Sequence, residues 1–187
     1  TAYSKKTIHD FSLDWLNQTE KASAEIVLMQ IDDYIQKDYH ENKNLILFGN
    51  MGTGKTMMAC IIANSLNITS RYTSTIQLYM DILQSYENNN EKYVLDAYTN
   101  CDLLIIDEVG NRSRKQKEHE KDMIFFILNK RYETNKPIIL ITNAASEMEV
   151  SRIVSFEFGA RIFDRLCQSN MMIEFNWRSF RKSKMWK

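Results

Sequence analysis

Gly49-Asn50-Met51-Gly52-Thr53-Gly54-Lys55-Thr56 stands between NLILFG, a continuous apolar run at residues 44 to 49, and KTMMACIIANSL, an apolar stretch of helical length. Glycines at three of these positions let the backbone bend around and approach an anion with no Cβ in the way. The run before the loop reads as a buried strand. The stretch after it reads as a helix whose free N–H groups and positive dipole end face the loop. Strand, glycine turn and helix in that order commit the chain to an α/β unit that binds an anion at the carboxyl end of a strand. The octet fits GxxxxGK[ST] at every defined position. Gly49, Asn50, Met51, Gly52, Thr53, Gly54, Lys55 and Thr56 are therefore the expected nucleotide-binding residues, with Lys55 reaching the β- and γ-phosphates and the Thr56 hydroxyl serving Mg²⁺.

The same rhythm continues along the chain. RYTST at 71 to 75, DLLIID at 102 to 107, PIILIT at 137 to 142 and NMMIEF at 170 to 175 read as further strands. Helical patterns fall between them: IQLYMDILQSYE, EKYVLDAY, and HEKDMIFFILNKRYE at 119 to 133, with Met123, Ile127 and Arg131 on one side. Before the first strand, TEKASAEIVLMQIDDYIQK at 19 to 37 places Val27, Ile31, Tyr34 and Ile35 on one stripe behind a Thr19 cap. FGARIFDRL, 158 to 166, sends Arg161 and Arg165 from one helical face with Asp164 able to pair with either. Apolar strands alternating with helices predict a five-stranded parallel sheet covered on both faces, a three-layer α/β/α fold.

Leu103-Leu104-Ile105-Ile106 ends in Asp107-Glu108, two carboxylates at the edge of the sheet where the phosphate loop also lies. Asp107 is placed to hold Mg²⁺ through water, and Glu108 to polarise the water that attacks the γ-phosphate. A metabolite kinase excludes water, so this pair favours ATP hydrolysis to ADP and phosphate over phosphoryl transfer.

At 187 residues, 44% hydrophobic and 26% charged, the chain fits one globular domain over residues 1–187. No apolar run approaches the ~20 residues of a membrane span, and no signal peptide pattern opens the chain, so the expectation is a cytoplasmic protein with no membrane partner. Cys60, Cys101 and Cys167 are scattered, as are His9, His40 and His119, which argues against a disulfide framework and a zinc site. Net charge is zero, yet residues 1 to 50 carry 5 Lys/Arg against 8 Asp/Glu while residues 151 to 187 carry 8 against 3. A polyanion is drawn to the C-terminal end. The first residue is Thr, which suggests a piece of a longer protein.

NLILFGNMGTGKT, CDLLIIDEVG, KPIILITN and FGARIFDR followed by FNWRSFR resemble, in order and spacing, the AAA+ ATPase class and more closely the bacterial and phage replicative-helicase loaders of the DnaC type. The resemblance runs from about residue 7 to residue 183, and its last pair of motifs is the most specific. It implies an AAA+ fold with little or no C-terminal lid, ATP/ADP and Mg²⁺ as cofactors, and helicase loading in DNA replication. It implies a polar sensor at Asn143, an arginine finger acting in trans at Arg165 and hence self-association, and a second sensor at Arg181. Arg161 either supports the finger or covers a helix face. A trans finger must be exposed in the monomer. Met57 and Met58 depart from the loaders' more usual His-Leu and are expected to face inward. The helicase-gripping domain of the family is not evident before the phosphate loop.

The resemblance also implies that the segment between the second strand and the Asp-Glu strand lines single-stranded DNA. Tyr79, Tyr86, Tyr93 and Tyr98 are the candidate stacking residues and Arg71 and Lys92 the candidate phosphate contacts, although tyrosines at these spacings also pack helices. RSRKQK at 112 to 117 is a further electrostatic candidate. The expected partners are the replicative helicase and single-stranded DNA. The alternatives are a transposition helper ATPase, a helicase-binding adaptor that holds ATP as a structural ligand, and, more distantly, a metabolite kinase.

Overall fold

Among the described residues five short strands line up in parallel, the three innermost of them apolar and buried, and helices between successive strands carry the chain back for the next one. The computed structural model describes residue 3, residues 5–111 and residues 118–181, and RSRKQK lies outside the described residues. The strands are β1 Asn44–Gly49, β2 Ser70–Ser74, β3 Leu103–Val109, β4 Ile138–Thr142 and β5 Asn170–Phe175, in the spatial order β2-β3-β4-β1-β5. The helices are α1 Gln18–Asp33, α2 Lys55–Leu66, α3 Thr75–Asn88, α4 Glu91–Thr99, α5 Glu118–Glu133, α6 Glu147–Phe158 and α7 Ala160–Gln168.

Alternation along each strand divides the core in two. Leu45, Leu47, Leu103, Ile105, Ile139 and Ile141 pack against Val27 and Ile31 of α1 and Met58, Ile61 and Ile62 of α2. Ile46, Phe48, Leu104, Ile106, Ile138 and Leu140 face the opposite layer, with Leu78, Ile82, Ile127, Val154 and Ile162 from α3, α5, α6 and α7. Met58 is buried and Met57 half-buried against the first of these clusters, as their positions predicted.

Several boundaries differ from the sequence reading. Asn17, not Thr19, caps α1: its side chain accepts from the Glu20 amide while the Glu20 carboxylate accepts from the Asn17 amide, a complete capping box. The helix then widens into a π turn over Tyr34–Asp38. α6 has no counterpart in the sequence reading, although Ser146 caps it: the Glu149 amide donates to Ser146 Oγ, and the Glu149 carboxylate reaches one residue further back to accept from the Ala145 amide at 2.7 Å.

Arg131 is fully buried. Its guanidinium donates to the carbonyls of Tyr98 at 3.0 Å, Cys101 at 2.9 Å, Asp102 at 3.2 Å and Pro137 at 2.8 Å. One side chain thus ties the end of α4 to the starts of β3 and β4, satisfying carbonyls that water does not reach.

Candidate functional site

The phosphate loop occupies the turn between β1 and α2, at the carboxyl ends of the strands. Gly49 has φ +112°, and a Cβ there would lie 2.5 Å from the Phe175 carbonyl oxygen, a backbone atom that accepts from the Asn50 amide at 2.9 Å. Gly54, φ +101°, stands at the start of α2 with the Phe11 ring 2.6 Å from where a Cβ would be. Neither position admits a side chain. Lys55 is only 5% exposed, and its ammonium donates to the carbonyls of Gly49 at 2.8 Å and Asn50 at 2.6 Å, inside the curl of the loop. Burial brings its pKa down to about 8, against the pull of Asp107 and with a further push from Arg181. Met51 projects to solvent at the tip.

Beside the loop, Thr56 Oγ1 donates to Asp107 Oδ2 at 2.7 Å, bringing two of the predicted cation ligands together from α2 and β3. A hydroxyl and a single carboxylate are hard oxygen donors that leave most of a coordination sphere to phosphate and water, which fits Mg²⁺. No cluster of three or more His, Cys, Asp or Glu side chains able to hold a metal occurs among the described residues, so a cage made of protein side chains alone is absent there. Glu108 follows in an exposed, left-handed conformation, φ +58°, an unusual backbone for a non-glycine residue. Asn143 is exposed one residue beyond β4. Leu47 pairs with Ile141, and continuing that register sets Asn143 level with Gly49. Val109 pairs with Thr142 on the other side. Asn143 therefore stands at the sheet edge between the strand of the phosphate loop and the strand of the two carboxylates.

FNWRSFR wraps this loop. Asn50 Nδ2 donates to the Trp177 carbonyl at 3.2 Å, the Trp177 indole N–H to the Thr53 carbonyl at 3.1 Å, and the Phe180 amide to the Gly52 carbonyl at 2.9 Å. The segment is held in turn by the N-terminal region: Arg178 Nε donates to Glu20 at 2.7 Å, and the Phe180 ring meets Trp15 edge-on with centroids 5.4 Å apart. Arg181, exposed, closes the motif within electrostatic reach of Lys55. Sequence reasoning found Arg181 but not the parts played by Trp177, Phe11, Trp15 and Glu20. Only the Asn17-x-x-Glu20 cap left a local signal.

The two arginines of α7 part company. Arg161 is exposed. Arg165 is half-buried, its guanidinium carbon 5.2 Å from the Tyr132 ring centroid and 5.9 Å from that of Phe125, beside Asn44 and Ile138 in a small cavity. Its Nη1 is buried with no hydrogen-bond partner among the described residues. Asn44 opens the strand that Gly49 closes, so Arg165 lies about 17 Å from its own phosphate loop at roughly 3.3 Å per residue. The expected exposure is not met, because two aromatic rings of α5 cover the side chain.

The tyrosines also divide. Tyr79 and Tyr98 are buried, which removes them as stacking residues. The Tyr98 hydroxyl donates to Asp81, and Arg71 lies 4.1 Å over the Tyr98 ring while pairing with the same Asp81 at 3.3 Å, so Arg71 serves the join between β2 and α3. Tyr86 is 36% and Tyr93 74% exposed, and Lys92 is exposed. No helix among the described residues is long and apolar enough to cross a membrane.

Known proteins share the fold. The replicative helicase loader DnaC of Escherichia coli (strain K12) is 28% identical over 161 residues, which cover 82% of this chain and 62% of that protein. The chain thus spans about three fifths of the curated relatives it matches first. The crystal structure of the DnaC helicase loader superposes with a TM-score of 0.71 at 20% identity, covering 88% of this chain and 96% of that one. The replication initiator DnaA bound to AMPPCP and single-stranded DNA superposes with a TM-score of 0.64 at 19% identity, covering 91% and 49%. These likenesses fix the fold as that of the AAA+ DnaC and DnaA domains. The family model for IstB-like ATP-binding proteins matches residues 4–187, and the chain belongs to that family.

Proposed function

We propose that this chain is the ATPase part of a replicative-helicase loader, which binds ATP with Mg²⁺, hydrolyses it on assembly, and delivers helicase to single-stranded DNA. The observation that carries the reading is the meeting of Lys55, the Thr56–Asp107 pair and the FNWRSFR segment at one edge of the sheet. Homology to DnaC supports the helicase partner, and the DnaA neighbour bound to single-stranded DNA supports the second.

The chemistry follows from the groups present. Lys55 exchanges its two carbonyl partners for phosphate oxygens, and the amides at the start of α2 take the remainder. When bound, Mg²⁺ neutralises charge on the β- and γ-phosphates; Thr56 and Asp107 are the residues that would hold it. Glu108 orients and polarises a water, Asn143 fixes that water from the neighbouring strand end, and Arg181 binds the γ-phosphate from the segment that braces the loop. Arg165, about 17 Å from its own loop, serves a neighbouring subunit's nucleotide if it serves any. Arg161 is the competitor its exposure favours.

The test is co-purification of the full-length parent protein with its replicative helicase, with and without ATP and single-stranded DNA, measuring the mass of the complex. No complex under any condition sinks the loader reading. Glu108→Gln is expected to bind ATP and retain helicase and DNA; if their release is unaffected, ATP is a structural ligand and the adaptor reading stands. The family match also supports a second reading, a transposition helper, which predicts that a transposase rather than a helicase is captured and stimulates turnover.

A further inference from the structure

Tyr72 reaches the carboxylate of Asp107 from a strand to which the proposed chemistry gives no part. It lies on β2, the edge strand, 37% exposed, and its hydroxyl donates to Asp107 Oδ2 at 2.9 Å. Thr56 Oγ1 donates to the same oxygen at 2.7 Å, and the Glu108 amide to Oδ1 at 2.7 Å. Tyr72 pairs with Ile105 in register and Ser74 with Asp107, so Tyr72 and Asp107 leave the same face of the sheet and the phenol leans along the strand to close the gap. The phenol is a donor facing a carboxylate that can only accept, so the direction of the bond is set by the two groups. Of the three donors, the Glu108 amide is fixed by the backbone, and the Thr56 hydroxyl would also offer its oxygen lone pairs to a cation. Tyr72 is the side chain whose visible task is to keep the carboxylate aimed.

We infer that Tyr72 is a positioning residue of the cation site, which orients Asp107 so that its free lone pairs meet the water shell of Mg²⁺. The inference rests on the nucleotide reading of this site. The carboxylate acts on the cation through water, so its angle decides whether that water is held. Partners of direct metal ligands are typically worth about 10–100-fold in metal affinity, and a partner that acts through a carboxylate and a water is expected at the lower end of that range. The strand that carries Tyr72 also carries Arg71, whose contacts with Asp81 and Tyr98 hold α3 and α4 to the sheet edge.

Tyr72→Phe removes one oxygen and keeps the ring. Binding of a fluorescent ADP analogue to the full chain is titrated with Mg²⁺, alongside a series in EDTA and a thermal melt. The variant is expected to require about tenfold more Mg²⁺ for half-maximal enhancement of binding, with affinity in EDTA and Tm unchanged. A Mg²⁺ midpoint equal to that of the unsubstituted protein overturns the inference, as does an equal loss in EDTA, which would mark a packing role. If the unsubstituted protein binds nucleotide with no response to Mg²⁺, the cation reading of Thr56 and Asp107 falls and this inference falls with it. A normal Mg²⁺ response in the parent with no shift in Tyr72→Phe removes this inference alone.

Discussion

Two buried cations stand at opposite ends of the sheet, and both are solvated by backbone carbonyls. Arg131, at the amino ends of the strands, holds carbonyls from α4, β3 and the lead into β4, all parts of the fixed frame. Lys55, at the carboxyl ends, holds only Gly49 and Asn50, neighbours in its own turn. Burial lowers the pKa of both, but the guanidinium starts so high that it keeps its charge at any working pH, whereas the ammonium comes down to about 8. One end spends a cation on holding the frame together; the other keeps a cation on partners that an anion can replace. Arg165 is the residue that tests this division, since it is proposed for chemistry yet lies at the framework end.

The largest expected effect concerns that residue. Arg165→Ala should cut assembly-dependent ATP hydrolysis about a thousandfold, roughly 4 kcal/mol, while the monomer still binds ATP. If Arg161→Ala has that effect and Arg165→Ala changes only stability, the division holds without exception and the finger is Arg161. Loss of ATP binding in an isolated Arg165→Ala monomer contradicts its distance from the loop. Next, Arg131→Met should cost about 3–4 kcal/mol in urea unfolding, because buried carbonyls lose their donors, with nucleotide affinity unchanged in the folded fraction. Lys55→Met should do the reverse. Nucleotide affinity falls about a hundredfold, some 2.7 kcal/mol, while stability stays level or rises as a desolvated charge is removed. A fall in stability comparable to that of Arg131→Met would erase the contrast.

How far these two ends were legible in the sequence follows the same division. The turn between β1 and α2 and the placing of Asp107 and Glu108 at the end of β3 were readable because the signals are local: eight consecutive residues and one strand terminus. The three inner strands were readable because a strand covered on both faces is a nearly unbroken apolar run, whereas β2 is polar, buries only Thr73 and was read from its Tyr and Thr residues and its place in the alternation. Arg131 was placed on the side of its helix that carries Met123 and Ile127, but its role was not legible, since its carbonyl partners lie 6 to 33 positions away in sequence. Trp177 was hidden for the same reason, its partner Thr53 lying 124 positions away. α6 left a local trace, the Ser146-x-x-Glu149 cap followed by Val150, Val154 and Phe158 on one face, that the pattern reading passed over. Tyr79 and Tyr98 show the opposite case: residue type left both stacking and the commoner packing role open, and burial, which sequence does not print, assigned them to packing.

The pH dependence of binding sharpens the comparison further. Free Lys55 titrates near 8 because it is buried, and phosphate oxygens around it restore a higher pKa, so nucleotide binding takes up a proton once the free ammonium has lost its own. Affinity is therefore full below about pH 8 and falls as pH rises beyond it, by up to about tenfold per unit, 1.4 kcal/mol, until the bound-state pKa is reached. Calorimetry at pH 9 in buffers of different ionisation enthalpy should register that proton. A flat affinity from pH 7 to pH 9.5 would mean that Lys55 keeps its charge in the empty loop.

The smallest effect belongs to the brace. Trp177→Phe keeps the ring buried against Phe175 but deletes the indole N–H that satisfies the Thr53 carbonyl. Trp177 is only 1% exposed, so that carbonyl is left without a donor, a cost of about 1–2 kcal/mol. Were Trp177 a framework residue like Arg131, the whole loss would appear in unfolding and none in nucleotide affinity. The bond instead ends on the phosphate loop, whose glycines already tolerate several backbone conformations, so part of the loss should appear as a few-fold weaker nucleotide binding. The ratio of the two losses, measured by urea unfolding and by nucleotide titration of the same variant, locates the boundary between the frame and the loop it positions.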